Sequence, residues 1–193
     1  MFTGLVETIG QIKSCISFNG GRTFKIYTPE GFASKISESI AINGVCFTVT
    51  KQMRNNEFEV FASPNTLSKT NFRLSRTGQF VNIERALKLS DRIGGHLVQG
   101  HVEEVGKVIA KKVKTGITMF TIKVAPEISK YIVKNGNIAV EGVSLTVIDT
   151  KNNGFEIGLV PFTLKNTTLG ELHIGSLVNI ETDILGKYLK NEN

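Results

Sequence analysis

The amino-acid sequence predicts an all-β protein built from two tandem copies of one fold. The strongest observation is an internal repeat, in which residues 39–49 (SIAINGVCFTV) return as residues 137–147 (NIAVEGVSLTV). Shorter matches flank this pair, and their offset stays between 96 and 98 residues. A repeat of this length corresponds to a whole domain and not to one unit of a solenoid. We therefore expect two pseudosymmetric domains, each of about 90 residues and able to bury its own core.

The second observation is that apolar residues fall in short segments rich in β-branched and aromatic side chains. These segments are predicted strands at 24–28, 45–50 and 57–61, with counterparts at 118–124, 143–148 and 154–160. Many short strands separated by turns are typical of a barrel or a sandwich. The predicted helices are short: one covers 126–132, its counterpart follows Pro29, and a terminal helix starts near Asp183.

The domain boundary is predicted from the position at which the first copy of the repeat ends. This copy ends at Glu84, residues 85–95 form the link, and the second copy opens near Leu97. We divide the chain into a first domain at 1–96, a second domain at 97–184 and a short C-terminal helix or tail at 185–193.

Composition excludes several classes of protein. The 193 residues are 40% hydrophobic with a formal net charge of +6, as in ordinary soluble globular proteins. No apolar run approaches the roughly 20 residues of a membrane span, and the N-terminus lacks the pattern of a signal peptide, so we expect a cytoplasmic protein without a membrane partner. The lysine-rich stretch 107–114 is interpreted as a solvated face, with attraction of an anionic ligand as the alternative. Nucleic acid is not an expected partner, because no basic motif is interleaved with aromatic residues.

Metal and disulfide chemistry are not indicated. Two cysteines make no disulfide framework, and the three histidines show no metal-ligand spacing with one another. Cys15 lies in a stretch that looks irregular and polar. The glycine-rich residues 94–101 have neither spacing known for phosphate-binding loops.

Two copies of one fold should carry two copies of one pocket, and the differences between the copies indicate how the pockets differ. Cys46 corresponds to Ser144, Leu5 to His101, Phe2 to Val98 and Asn43 to Glu141. Two similar ligands, or one ligand shared by two half-sites, would suit this arrangement.

Candidate polar groups share a strand face in each copy. Cys46 and Thr48 are two residues apart, as are Ser144 and Thr146, so each pair points to one side of its strand. These side chains are either small core residues or ligand contacts. His101 is either a structural residue or a general base, since histidine titrates near neutral pH. The repeated Asn82-Ile-Glu84 and Asn179-Ile-Glu181 are interpreted as structural.

Three motifs together resemble riboflavin synthase of the alpha-chain type. They are MFTGLVE at 1–7, the duplicated NGVCFTV and EGVSLTV at 43–49 and 141–147, and GGHLVQGHV at 94–102. The similarity extends from Met1 to about Tyr188. It implies two six-stranded Greek-key β-barrels and a C-terminal helix that assembles a homotrimer. The implied reaction is dismutation of two molecules of 6,7-dimethyl-8-ribityllumazine by transfer of a four-carbon unit, with no metal or redox cofactor. The products are riboflavin and 5-amino-6-ribitylaminouracil.

The resemblance also implies site residues, in pockets paired between neighbouring subunits. Phe2, Ser39, Cys46 and His101 match positions implicated in catalysis. The first pocket would use Gly4, Leu5, Val6, Cys46, Phe47, Thr48, Phe61, Ala62, Ser63, Pro64, Asn65, Thr66, Gly100, His101 and Val102. The second would use Asn135, Ser144, Leu145, Thr146, Gly158, Leu159, Val160, Pro161, Phe162 and Thr163.

The chain departs from the family pattern at a few of these places. Asn65 and Phe162 stand where the family often has Glu, Asn135 stands where it often has Lys, and Glu141 replaces a frequent Asp. A non-catalytic lumazine or flavin carrier is the alternative function, because fluorescent antenna proteins share the fold and the opening motif. Such carriers commonly lose polar pocket residues, whereas this chain keeps Cys46 and His101.

Overall fold

The protein folds into two closed antiparallel β-barrels of six strands each. The structure is a computed structural model that describes residues 1–151 and 153–190, without the side chain of Lys190. The predicted all-β class and the two six-stranded barrels are confirmed. Residues 191–193 of the predicted tail lie outside the described residues.

The first barrel has the strand order β1-β2-β5-β4-β3-β6 and the second β10-β11-β8-β7-β12-β9. The strands of the first barrel are β1 Thr8–Phe18, β2 Gly21–Tyr27, β3 Ser39–Ile42, β4 Val45–Gln52, β5 Glu57–Ala62 and β6 Phe80–Arg85. Those of the second are β7 Glu104–Lys114, β8 Ile117–Lys123, β9 Asn137–Val140, β10 Val143–Lys151, β11 Gly154–Leu159 and β12 Leu177–Thr182. Each interior is filled by its own apolar cluster, in the first barrel around Phe24, Phe58 and Phe72 and in the second around Phe120 and Phe155.

The helices are short, as predicted, but they do not all lie where the sequence placed them. They are α1 Pro64–Lys69, α2 Pro126–Ser129, α3 Pro161–Asn166 and α4 Ile184–Lys190, with 3₁₀ turns at Asn71–Leu74 and Thr168–Glu171. The helix predicted after Pro29 is wrong: Gly31 follows at a φ of 90°, a left-handed conformation that ends any helical turn there. Cys15 is not in an irregular stretch either, because it belongs to β1.

The two repeats exchange the segments that precede their first strands. We call residues 2–6 the first arm and residues 98–102 the second arm. They meet at a bridge in which the main-chain N–H of Phe2 donates to Val98 at 2.7 Å and that of Val98 donates to Phe2 at 3.0 Å. Beyond the bridge each arm crosses to the other barrel: Val6 packs against the second core, and Val102 belongs to the first.

Glycine allows this close crossing. The Gly4 carbonyl accepts from the Ser144 N–H at 2.8 Å, and the Gly100 carbonyl accepts from the Cys46 N–H at 2.9 Å. Both glycines have positive φ, and a Cβ on either would lie 2.6 Å from the Cβ of the residue it faces. A side chain at either position would therefore push the arm off the strand.

A buried glutamate at the end of each barrel's last strand holds one arm. Glu84 accepts from the main-chain N–H groups of Thr3 and Gly4 at 2.6 and 3.0 Å. Glu181 accepts from those of Gln99 and His101 at 2.6 and 2.8 Å. Burial raises the pKa of both carboxyls, partly offset by these donors. The structural interpretation of the repeated Asn-Ile-Glu motif is confirmed for its glutamates.

The asparagines of that motif join the barrels. The Asn82 side-chain N–H donates to the Glu141 carbonyl at 2.9 Å, and the Asn179 side-chain N–H donates to the Asn43 carbonyl at the same distance. The two side-chain oxygens accept from the first residues of the opposite barrel's 3₁₀ turns, Thr168 and Asn71. The repeated motif is therefore a pseudosymmetric inter-barrel contact.

Glu141 makes this contact sensitive to pH. Burial raises the pKa of Glu141 from 4.5 to about 8, despite the N–H donors of Asn179 and Asn71. The folded protein therefore binds this proton more tightly than the unfolded chain. The stability it contributes is fully present below pH 4.5 and is lost as the pH rises to about 8, at up to about 1.4 kcal/mol per pH unit.

We expect Glu141→Gln to flatten the fall in stability between pH 5 and pH 9. Urea unfolding across this range measures the effect, with Glu30→Gln, at a solvent-exposed position, as the matched control. Other buried carboxyls contribute to the wild-type slope, so the informative quantity is the difference between the wild-type and variant profiles. Parallel profiles for the wild type and Glu141→Gln would show that Glu141 does not titrate across this range.

Candidate functional site

The first candidate pocket lies on the outer face of strand β4. Val45, Phe47 and Val49 point into the barrel core, so the alternation of the strand turns Cys46 and Thr48 outward. The structure thus decides one question left open by the sequence: Cys46 and Thr48 are not residues of the barrel interior.

The second arm forms the other wall of this pocket. A cavity of about 350 Å³ is lined by residues of β4, helix α1 and the arm: Val45, Cys46, Asn65, Thr66, Lys69, Thr70, Gly100, His101 and Val102. Six of these nine are site residues implied by the resemblance. His101 is solvent-exposed at the tip of the arm, and its main chain is fixed by Glu181. An exposed imidazole on a fixed backbone beside a thiol can exchange protons with a ligand in the cavity.

Five further proposed residues lie around this pocket in different settings. Ser39 on β3 is paired with Thr48 on β4, so both side chains share the outer face. Ser63 caps helix α1, where its Oγ accepts from the Thr66 N–H at 3.1 Å. Phe61 is exposed, whereas the side chains of Phe47 and Ala62 fill the core, so only their main chains can face a ligand.

Lys69 and Thr70 are lining residues that sequence reasoning missed. Lys69 ends helix α1, and Thr70 closes it by donating from Oγ1 to the Thr66 carbonyl at 2.8 Å. The signal that could have found them is the repeated Pro-x-Thr-Leu motif at 64–67 and 161–164, which marks a helix beginning at the pocket.

The counterpart of this pocket in the second repeat is the strand face around Ser144 on β10, which the first arm covers as the second arm covers Cys46. We call this region the second candidate pocket. Ser144 is half-buried and Thr146 exposed, on the face opposite the core residues Val143 and Val147. Leu145 packs against the core. Helix α3 corresponds to α1 and begins directly after β11, the strand that pairs with β10. Its Val160 cannot cap the helix as Ser63 does, and Phe162 is 76% exposed.

One assignment within the site is wrong. The resemblance placed Gly4, Leu5 and Val6 in the first pocket, with Cys46. The structure places them on the second barrel, because the Gly4 carbonyl binds the Ser144 N–H and Val6 packs on the second core. The reason is the exchange of arms, which gives each pocket a wall from the other repeat.

His96 is the residue of the second pocket that sequence reasoning missed. Its Nδ1 lies 2.7 Å from Ser144 Oγ, and the side chain is only 6% exposed. Burial lowers the pKa of His96. The only sequence signal was the pair of glycines before it, which lets the chain pass close to Ser144.

Two proposed residues have settings that limit what they can do. Phe2 is completely buried between the barrels with Ala41, Val98 and Ala139, and Cys46 packs against this cluster. The Phe2 side chain therefore supports the arms from the buried side. Asn135 is exposed at a φ of 64°, a left-handed conformation that asparagine tolerates better than lysine does.

Two other kinds of site receive no support from residues 1–151 and 153–190. Within them, no three His, Cys, Asp or Glu side chains gather as a group able to hold a metal ion. No helix in the same ranges is long and apolar enough to cross a membrane.

Comparison with known proteins identifies the family. The model of the lumazine binding domain matches the chain twice, at residues 3–86 and 99–183. Riboflavin synthase of Actinobacillus pleuropneumoniae is 37% identical over 98% of this chain and 88% of its own length. Riboflavin synthase of Schizosaccharomyces pombe is 39% identical over 97% and 91%.

Solved structures confirm the fold. The structure of LumP complexed with riboflavin has a TM-score of 0.86 at 24% identity, covering 94% of this chain and 99% of that one. LumP complexed with 6,7-dimethyl-8-(1'-D-ribityl) lumazine gives 0.85 at 22% identity. These likenesses concern the architecture alone. Two lumazine binding domains cover most of the chain, and riboflavin synthases are 37–39% identical to it over nearly its full length. These matches show that the chain belongs to the riboflavin synthase family.

Proposed function

We propose that this protein is a transferase that converts two molecules of 6,7-dimethyl-8-ribityllumazine into riboflavin and 5-amino-6-ribitylaminouracil. The observation that carries this function is a pair of pseudosymmetric strand faces, each covered by an arm of the other repeat and each with different polar groups. The first offers Cys46 and the exposed His101, and the second offers Ser144 with the buried His96. Two similar binding sites with unlike chemistry suit a reaction in which one molecule donates a four-carbon unit to an identical one.

The chemistry assigns complementary tasks to the pockets. The acceptor loses a proton from its acidic C7 methyl group, and His101 is the base that the geometry favours, with Ser39 as the other candidate. The donor gains a nucleophile at C7, which is water or a side-chain group. Stacking the two heterocycles in register accounts for much of the acceleration, since fixed orientation can contribute about 7–11 kcal/mol at best.

The remaining proposed residues act by binding or positioning. Residues 1–96 and 97–184 are the two binding units. Thr48 and the segment 61–66 border the first ligand, together with 100–102. Residues 4–6, Asn135, 144–146 and 158–163 border the second. Phe2 acts indirectly, by holding the first and second arms together through its bridge to Val98.

Assembly as a homotrimer is part of the proposal. Helix α4 exposes Leu185, Tyr188 and Leu189, which lie three and four residues apart and so share one face. Such an apolar face on a short terminal helix suits burial against another subunit. The helix is tied to the second barrel by an ion pair between Lys187 and Glu103 at 2.7 Å. We place the reaction in the cytoplasm, where the two free cysteines would remain reduced.

One assay tests the function. Purified protein is incubated with 6,7-dimethyl-8-ribityllumazine alone, and formation of riboflavin is followed by its visible absorbance. Half a mole of riboflavin per mole of lumazine consumed is expected, with an equal amount of the aminouracil. Tight binding of the lumazine without formation of riboflavin would instead identify a carrier.

A further inference from the structure

His96 enters the second pocket from the link between the barrels. Its main-chain N–H donates to the Thr3 carbonyl at 3.1 Å, which places the residue beside the first arm. A Cβ on the preceding Gly95 would lie 2.9 Å from both Cβ and Oγ of Ser144. The link therefore passes directly over Ser144, and the imidazole is held against the hydroxyl by its own backbone.

The hydrogen bonds of His96 indicate which ring nitrogen carries the proton. Nδ1 lies 2.7 Å from Ser144 Oγ, whereas Nε2 is buried and has no hydrogen-bond partner among the described residues. A buried N–H without an acceptor is rare and costly. The favoured state is therefore a neutral ring with its proton on Nδ1, and burial, which lowers the pKa of His96, supports it.

This tautomer determines what Ser144 can offer to a ligand. If Nδ1–H donates to Oγ, the hydroxyl proton of Ser144 is not used in that bond and is free to donate elsewhere. The main-chain N–H of Ser144 is already bound to the Gly4 carbonyl. The half-buried hydroxyl is therefore a donor available to the pocket. In the first pocket the equivalent residue is Cys46, whose thiol is a weak donor.

We propose that His96 is a positioning residue that commits the Ser144 hydroxyl to donate a hydrogen bond to the ligand of the second pocket. The ligand must then present a carbonyl oxygen or an unprotonated ring nitrogen at that place, as an oxidised pteridine does. The two pockets thus differ in a directed hydrogen bond supplied only by the second. The inference rests on the proposed lumazine site, but its test does not require turnover.

A double-mutant cycle on binding of 6,7-dimethyl-8-ribityllumazine tests the coupling. His96→Leu should weaken binding to the second site by about three- to tenfold, the usual effect of one neutral hydrogen bond. Ser144→Ala should have a similar effect, and His96→Leu should add nothing in the Ser144→Ala background. His96→Asn, whose amide N–H can replace Nδ1–H, should restore most of the affinity. A full loss from His96→Leu in the Ser144→Ala background would overturn the proposal, as would a loss with His96→Asn equal to that with His96→Leu.

Nitrogen NMR of the unliganded wild-type protein gives an independent readout. The His96 ring should be neutral at pH 7, with a protonated Nδ1 and an unprotonated Nε2. The opposite tautomer would reverse the direction of the Ser144 hydrogen bond and refute the proposal even if the variants lose affinity. Thermal unfolding of each variant separates loss of fold from loss of binding. If the wild-type protein binds the lumazine but forms no riboflavin, the proposed function fails while this test stands unaffected.

Discussion

Mixing two inactive variants should restore riboflavin formation. One variant carries Cys46→Ala and His101→Ala in the first pocket, and the other carries Ser144→Ala and Thr146→Ala in the second. If the site pairs the first pocket of one subunit with the second pocket of its neighbour, mixed trimers contain sites with both pockets intact. Random mixing in equal amounts leaves about one quarter of the sites intact, so about a quarter of wild-type activity should return.

Within the described part of the chain, Ser144 is not among the nine residues that line the Cys46 cavity, so the two groups do not share that cavity. Subunit exchange is verified by mass spectrometry of differently tagged chains. Mixing the first variant with a second copy altered in the same pocket is the matched control and should remain inactive. If exchange occurs and no activity returns, the two pockets of one chain must form the site between them, and the intersubunit model is wrong.

Replacing His101 with alanine should lower kcat by about tenfold to a hundredfold and change lumazine affinity much less. General acid–base groups typically contribute about 10²–10⁴-fold, and a loss at or below the lower end is expected here because solvent can reach the exposed position and replace the lost base. The arm should keep its place, since Glu181 binds the main-chain N–H and not the side chain of His101. Steady-state kinetics and lumazine titration separate the two effects.

His173→Ala is the matched control, because His173 is also exposed but lies in the turn before β12, where its Nδ1 is near Ser176 Oγ. It should turn over at the wild-type rate. Added imidazole should partly rescue the His101→Ala variant if the ring transfers a proton. A variant with unchanged kcat and weakened binding would assign His101 to ligand contact and leave Ser39 as the remaining candidate base.

The two-domain architecture could be predicted from the sequence, because a repeated segment of domain length indicates two domains with the same fold. The predicted strands are those with dense β-branched and aromatic residues. Strands β1, β3, β7 and β9 lie outside the predicted segments: β1 and β7 mix glycine and lysine with apolar residues, and β3 and β9 are only 4 residues long. The helix predicted after Pro29 does not form because Gly31 takes a left-handed conformation. In the second repeat the equivalent residue is Ile128, within α2, so comparing the two copies would have shown that the first lacks this helix-forming residue.

The site was accessible only in part. Strand alternation predicts that Cys46 and Thr48 share a face, and the family resemblance adds His101. The exchange of arms is a contact between residues about a hundred positions apart, and no local pattern encodes it. Sequence reasoning missed His96 for the same reason: its role depends on one contact with Ser144, 48 positions away, and on a ring nitrogen that has no hydrogen-bond partner among the described residues.

The crossed arms also limit the modularity of the chain. Here the residues that cover Cys46 come from the second repeat, and those that cover Ser144 come from the first. A barrel isolated at the link would lose the arm that forms one wall of its candidate pocket. Each candidate pocket is therefore complete only when both repeats are folded. Local unfolding of the arm in one repeat would expose the pocket in the other repeat to solvent.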